Sequence, residues 1–192
     1  MGRFICHHDA EPHGTGMTIA KTDLPGVFLI KPDLVTDRRG FFARLYDEEE
    51  LAGLGVDTRV AQYSIAFNDA MATIRGLHYQ QAPYGETKVV RCTAGVVFDV
   101  VVDLRPDSPM RHRWVDFELS ASNRNTLVIP PGCAHGYLTL TAATEVTYLI
   151  SVPYVKTAQR GVRWDDPVLK ISWPHAPLVI GERDAALPFL QL

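Results

Sequence analysis

The sequence predicts an all-β fold, a jelly-roll β-sandwich or barrel with a few short helices. Three observations carry this. From Gly26 onward the chain reads as short apolar runs rich in Val, Ile, Phe and Tyr. Gly, Pro, Asp and Asn separate these runs at fairly regular intervals, which is the punctuation of strands and turns. One run, 96–104, places Val96, Phe98, Val100, Val102 and Leu104 on one face while Asp99 and Asp103 interrupt the other.

Taken in order, strands are expected at 27–31, 40–46, 61–67, 74–80, 88–92, 96–104, 113–119, 126–129, 136–140 and 145–151. The strand 96–104 stops at Pro106-Asp107-Ser108-Pro109, a turn by composition. Only 47–54 reads as helix: its acidic start suits the positive end of the helix dipole, and Leu51 and Leu54 share a face. Many short strands suit a jelly roll, whose interior can hold a ligand among side chains from several strands.

A chain of 192 residues buries one good core, so a single domain over residues 17–192 is expected, preceded by a flexible leader at residues 1–16. His7, His8 and His13 in that leader read as tail residues before they read as a metal site. The net charge of -3 gives no basic field for nucleic acid, and no apolar run of about 18 residues could span a bilayer. Small molecules or a second copy of the chain remain as partners. The start lacks the apolar stretch of a secretion signal, and Cys6, Cys92 and Cys133 form an odd set without paired metal spacing. Both features fit a reducing cytoplasm.

Two constellations carry chemistry. Pro130-Pro131-Gly132-Cys133-Ala134-His135-Gly136 sets a rigid turn before a histidine and resembles the second cupin motif, P-x-G-x-x-H. Metal-binding cupins also carry a His-x-His and a carboxylate, whereas here the matching stretch is His78-Tyr79-Gln80. One imidazole fewer leaves too few nitrogen ligands, although Glu86 offers an oxygen, so a metal-dependent cupin enzyme stands as an alternative. The second constellation is Thr73 to Gln80, followed ten residues after His78 by Lys88. Period-two alternation puts Ile74, Gly76, His78 and Gln80 on one face and Arg75 on the other, unless a bulge or the barrel rim re-aims it. Taken singly, His78 reads as a core histidine, Tyr148 as a structural tyrosine, and Lys88 equally as a solvated strand lysine.

Together the motifs are more specific. RGLHYQ at 75–80, KVVRC at 88–92, VVFDVVVDLRPDSP at 96–109, ELSASNRNTLVIPPGCAHGY at 118–137, RGVRWDDP at 160–167 and GERDAALPFL at 181–190 resemble the core of the dTDP-4-dehydrorhamnose 3,5-epimerase family. That resemblance covers roughly residues 25–190. It implies a cupin-type jelly roll without metal or other cofactor, usually a homodimer, acting on a nucleotide-linked 4-keto-6-deoxyhexose. His78 then resembles the base, Asp184 the carboxylate that orients it, Lys88 the cation near the ketone oxygen, and Tyr148 the acid on the opposite face. Arg75, His135 and Arg183 resemble residues that hold diphosphate and sugar, for which a planar guanidinium is well shaped. Arg39 and Phe42 match an early RGFF stretch that grips the nucleotide across the dimer, and Gln62 and Tyr154 match further binding positions.

These residue types are needed together, because epimerisation next to a ketone requires a base, stabilisation of the enolate oxygen and an acid on the other face. The chain departs from the family pattern at Ala43-Arg44, where an aromatic residue and a glutamate are usual, and at Gln62-Tyr63-Ser64-Ile65-Ala66, where Gln-Asp-Asn-x-Ser is usual. Exchanging an acceptor for a donor at Arg44 bears on the nucleotide more than on the sugar chemistry. A non-catalytic sugar-binding cupin is the remaining alternative, since folds outlive functions.

Overall fold

The structure, a computed structural model, describes residues 16–191, so the leader and its histidines lie almost wholly outside the described residues. Fourteen strands and two short α-helices follow in the order β1 (Met17–Lys21), β2 (Phe28–Pro32), β3 (Val35–Asp37), β4 (Gly40–Phe42), α1 (Glu48–Gly53), β5 (Gln62–Asn68), β6 (Thr73–Gln80), β7 (Lys88–Ala94) and β8 (Val96–Asp103). They continue with β9 (Trp114–Ser120), β10 (Thr126–Ile129), β11 (Cys133–Thr139), β12 (Thr144–Ile150), β13 (Gln159–Gly161), β14 (Val179–Ile180) and α2 (Glu182–Ala185).

Two sheets form the sandwich. One runs β1-β2-β10-β7-β12-β5, the other β13-β6-β11-β8-β9 with β14 beside β6, and β3 and β4 make a separate hairpin. From β5 to β8 and again from β10 to β12 the chain alternates between the sheets, the jelly-roll connectivity the sequence predicts. Every pairing is antiparallel except β14 with β6.

Burial is three-layered, and this explains why the strand pattern in the sequence is not a simple in/out alternation. Between the sheets lie Leu29, Val90, Leu127, Ile129 and Val146 from one side and Val97, Val101, Phe117, Leu119 and Tyr137 from the other. The outer face of the first sheet is covered around Leu51 of α1, which packs with Ile19, Phe28, Ile30 and Val89. The outer face of the second sheet is covered by the C-terminal segment, where Val162, Leu169 and Trp173 pack on Phe98, Val100, Val102 and Leu77. Both faces of β8 are therefore buried, and Asp99 and Asp103 point inward, each with no exposed surface. Cys92 and Cys133 are free thiols in this interior, where burial pushes them up to about 11 and about 12.

The structure changes several expected boundaries. The strand expected at 40–46 ends at Phe42, because Arg44 turns to pair with Asp47 at 3.2 Å and Asp47 caps α1 by accepting from the Glu50 amide. Leu51 and Leu54 do not share a buried face. The helix ends at Gly53, so Leu54 sits outside it and is 37% exposed, whereas Leu51 is fully buried. Strands β1 and β3, the short β13 and β14, and α2 go beyond the predicted set.

Candidate active site

A cleft of about 610 Å³ opens between the sheets, lined from the second sheet by β6 and β11 and from the first by β7 and β12. Its construction starts at a bulge. Between β6 and β11 the register runs His78 to His135 and then Arg75 to Tyr137, so Gly76 and Leu77 together face the single residue Gly136. The extra residue cancels the alternation and brings Arg75 and His78 to the same cleft, while Leu77 turns to the outer core. This resolves the orientation of Arg75 that the sequence leaves open. Only glycine fits here: a Cβ on Gly76, whose φ is +112, would stand 2.6 Å from the Gly136 Cα, and a Cβ on Gly136 would stand 2.6 Å from the Arg75 carbonyl oxygen.

The bulge also frees the Gly76 amide. It donates to Asp184 Oδ2 at 2.9 Å, and the other oxygen, Oδ1, lies 2.7 Å from His78 Nε2. Strand β14, running beside β6, delivers α2 and its Asp184 to this place. Burial pushes the Asp184 carboxyl up, but the hydrogen bonds from His78 and the Gly76 amide outweigh it and hold the group below its ordinary range. An ionised carboxylate only accepts, so Nε2 of His78 carries the proton and Nδ1 keeps the free lone pair.

A second histidine–carboxylate pair lies deeper. His135 Nε2 is 2.8 Å from Asp99 Oδ2 and 3.0 Å from Oδ1, with both residues buried. Burial pushes the Asp99 carboxyl up, opposed by His135 and Lys88. This pairing was not read from the sequence. The signal available was a carboxylate breaking the apolar run of β8.

Lys88 on β7 reaches across the sandwich, donating to the His78 carbonyl oxygen at 3.1 Å and pairing with Glu86 at 2.8 Å. Glu86 in turn accepts from Gln80 at 3.1 Å, so the carboxylate considered as a metal ligand is held by Lys88 and Gln80. Both cleft imidazoles likewise give Nε2 to a carboxylate. Among the described residues no group of three His, Cys, Asp or Glu side chains is placed to hold a metal ion.

Tyr148 on β12 faces the cleft from the first sheet and meets the His135 ring edge to face, centroids 6.1 Å apart. Burial pushes its phenol well above the ordinary range, with Arg75 opposing. Arg75 donates to Asn68 Oδ1 at 2.8 Å and to the Phe67 carbonyl at 3.2 Å. Tyr154 and Arg183 complete the lining, Tyr154 with its hydroxyl on Gln159 and half its surface exposed. Of the residues singled out in the sequence, the cleft thus gathers Arg75, His78, Lys88, His135, Tyr148, Tyr154, Arg183 and Asp184.

Three do not line it. Arg39 and Phe42 sit on the exposed β3–β4 hairpin, Arg39 paired with Asp37 and Phe42 73% exposed. Gln62 begins β5 opposite Ile150. Asn68, Asp99 and Tyr137, in contrast, belong to the site and were not singled out for it.

With this geometry in hand, comparison with known proteins is specific. The family model described as dTDP-4-dehydrorhamnose 3,5-epimerase matches residues 21–191. A dTDP-4-dehydrorhamnose 3,5-epimerase of Sinorhizobium fredii is 39% identical over 165 residues, 85% of each chain. Among solved structures, the Bacillus anthracis dTDP-4-dehydrorhamnose 3,5-epimerase with TDP and PPi bound superposes with a TM-score of 0.86 at 38% identity, covering 91% of this chain and 99% of that one. ChmJ, a 3'-monoepimerase from Streptomyces bikiniensis in complex with dTDP-quinovose, gives a TM-score of 0.81 at 30% identity, covering 87% of this chain and 85% of that one.

Proposed function

The chain belongs to the dTDP-4-dehydrorhamnose 3,5-epimerase family, and from that premise we propose that it inverts C3, C5 or both of a dTDP-linked 4-keto-6-deoxyhexose in deoxysugar biosynthesis. The observation that carries the reading is one cleft with a histidine–aspartate dyad on one sheet and a half-buried tyrosine on the facing sheet. Base and acid on facing walls are what inversion at carbon requires.

In this reading His78 Nδ1 takes the proton from the carbon beside the ketone, and ionised Asp184 stabilises the imidazolium that forms. Lys88 stands near the oxygen that becomes the enolate. Two unit charges about 4 Å apart interact by about 4 kcal/mol at an effective dielectric near 20, enough to matter to a weakly acidic C–H. Tyr148 returns a proton from the other face. Arg75, Arg183 and His135 hold the diphosphate and sugar, and Tyr154 offers a ring for the base at the cleft mouth. Lys88 supplies the positive charge the enolate needs, so the mechanism calls on no metal or organic cofactor.

The family resemblance assigns Arg39 and Phe42 to the nucleotide from a partner subunit, and Gln62 to a further contact. A homodimer is supported by Tyr63, Ile65 and Phe67, which leave the outer face of edge strand β5 at 72%, 63% and 52% exposure. Residues 17–192 act as one epimerase domain. Work in the cytoplasm fits free buried thiols and a nucleotide-sugar substrate, and among the described residues no helix is long and apolar enough to cross a membrane. A non-catalytic sugar-binding module would have no use for a dyad facing an acid.

The test is incubation of the purified protein with dTDP-4-keto-6-deoxyglucose in D2O, following deuterium at C3 and C5 by NMR and mass. Deuterium at both carbons with inversion supports a 3,5-epimerase, and at one carbon a single-position enzyme. No incorporation overturns the reading. EDTA-treated protein is expected to keep its rate, and loss restored by added metal would favour the metal-dependent cupin instead.

A further inference from the structure

Arg75 is held in the cleft differently from the other charged groups there. Lys88 is paired with Glu86 and each imidazole with an aspartate. Arg75 lines the cleft with its side chain exposed, and its guanidinium rests on two neutral oxygens. Its Nε donates to Asn68 Oδ1 at 2.8 Å and its Nη2 to the Phe67 carbonyl at 3.2 Å. Those two N–H groups form one edge of the planar fork. The other edge, Nη1 with the second hydrogen of Nη2, has no partner among the described residues and can meet two anionic oxygens side by side.

Asn68 is itself fixed. It closes β5, is 2% exposed, and donates from Nδ2 to the Thr144 carbonyl at 3.0 Å and to the Tyr137 hydroxyl oxygen at 3.1 Å. A guanidinium only donates and a carbonyl only accepts, so the two ends of the amide cannot exchange places. Strands β11 and β12, from opposite sheets, thereby set the oxygen that Arg75 grips.

We infer that Asn68 is a positioning residue for substrate binding: its neutral oxygen fixes the Nε–Nη2 edge of Arg75, so that the opposite edge faces the diphosphate of the nucleotide with its charge undiminished. This rests on the epimerase reading and deepens it, naming a residue that acts on the diphosphate only through another. A carboxylate at position 68 would hold the same edge but offset the charge that attracts the anion. A smaller residue would leave the charge but free the fork, and ordering it would then fall to the binding step.

Titration calorimetry with dTDP and with thymidine separates this role from a structural one, because only dTDP carries the diphosphate. Asn68→Ala is expected to weaken dTDP binding about tenfold or more and to leave thymidine binding unchanged. In protein already carrying Arg75→Gln, the same change is expected to add nothing to the loss, since no guanidinium is left to position. Should Asn68→Ala not fold, Asn68→Asp, nearly the same shape, is expected to weaken dTDP by a comparable factor and again to spare thymidine. A folded variant that binds dTDP like the wild type overturns the inference. A parallel loss of dTDP and thymidine does the same, as does an undiminished further loss in the Arg75→Gln protein. Wild-type protein that binds dTDP but admits no deuterium to the substrate in D2O ends the epimerase reading itself, a result separate from the affinities of the Asn68 variants.

Discussion

The His78 imidazole and the Asp184 carboxylate are 106 residues apart in sequence and 2.7 Å apart in space. What joins them is the Gly76 bulge, whose amide anchors the second oxygen of Asp184. The pair works as a unit, and its two halves should fail differently. Removing the base by His78→Ala is expected to cost about 10²- to 10⁴-fold in kcat. Asp184→Asn still accepts from the Gly76 amide, but an amide N–H facing Nε2 forces the other imidazole tautomer and removes the lone pair from Nδ1. Steady-state kinetics on this variant should show kcat falling far more than KM rises. Equal changes in both would mark Asp184 as a binding residue.

The pH dependence of rate and that of stability rest on different groups. On the alkaline side Tyr148 must stay protonated, and burial holds its phenol above the ordinary value of about 10, so no loss from this group is expected below that pH. Stability follows Asp184 instead. Its folded-state pKa is depressed, so its ionised form stabilises the fold above the unfolded value of about 4, and that contribution is lost as pH falls through the folded value. Urea unfolding of the wild type and of Asp184→Asn should therefore converge at acid pH and differ at neutral pH.

How much of this was legible beforehand depended on whether the chemistry was local. The strands and the RGLH and PPGCAH stretches could be read because turn residues and side-chain types sit together in the sequence. The side to which Arg75 points could not, because a one-residue bulge against Gly136 sets it. The Asp99–His135 pair was hidden for a related reason. It depends on the register that puts Asp99 opposite Tyr137, diagonal to His135, and no spacing along the chain encodes that. Leu54 was misplaced by a single residue of helix length.

Lys88 and Glu86 form a nearly buried ion pair, their side chains 10% and 11% exposed. Removing one member of such a pair strands the other, at a cost of about 3–5 kcal/mol. Lys88→Met should therefore lose both activity and thermal stability. Adding Glu86→Gln to it should recover much of the stability, because the uncompensated carboxylate is gone, yet leave the rate low. Thermal unfolding measured beside the D2O exchange assay distinguishes the two effects. Recovery of rate in the double variant would remove Lys88 from the enolate site.

The open face of β5 offers the last test. Tyr63, Ile65 and Phe67 point outward from an edge strand, and two strands in, across Thr147, lies Arg91, whose Nε is buried without a hydrogen-bond partner among the described residues. An apolar stripe of this kind, with an unsatisfied donor two strands away, is costly in water and is relieved when a second copy covers it. A charge there should oppose pairing: Ile65→Lys is expected to halve the mass seen by light scattering after size exclusion. The side chain points away from the cleft, so the dyad of that variant remains intact. If Arg39 and Phe42 reach the nucleotide from the partner, the monomer should bind dTDP about tenfold or more weakly, a loss of roughly 1.4 kcal/mol. A monomer with unchanged dTDP affinity would show instead that each subunit grips its own nucleotide.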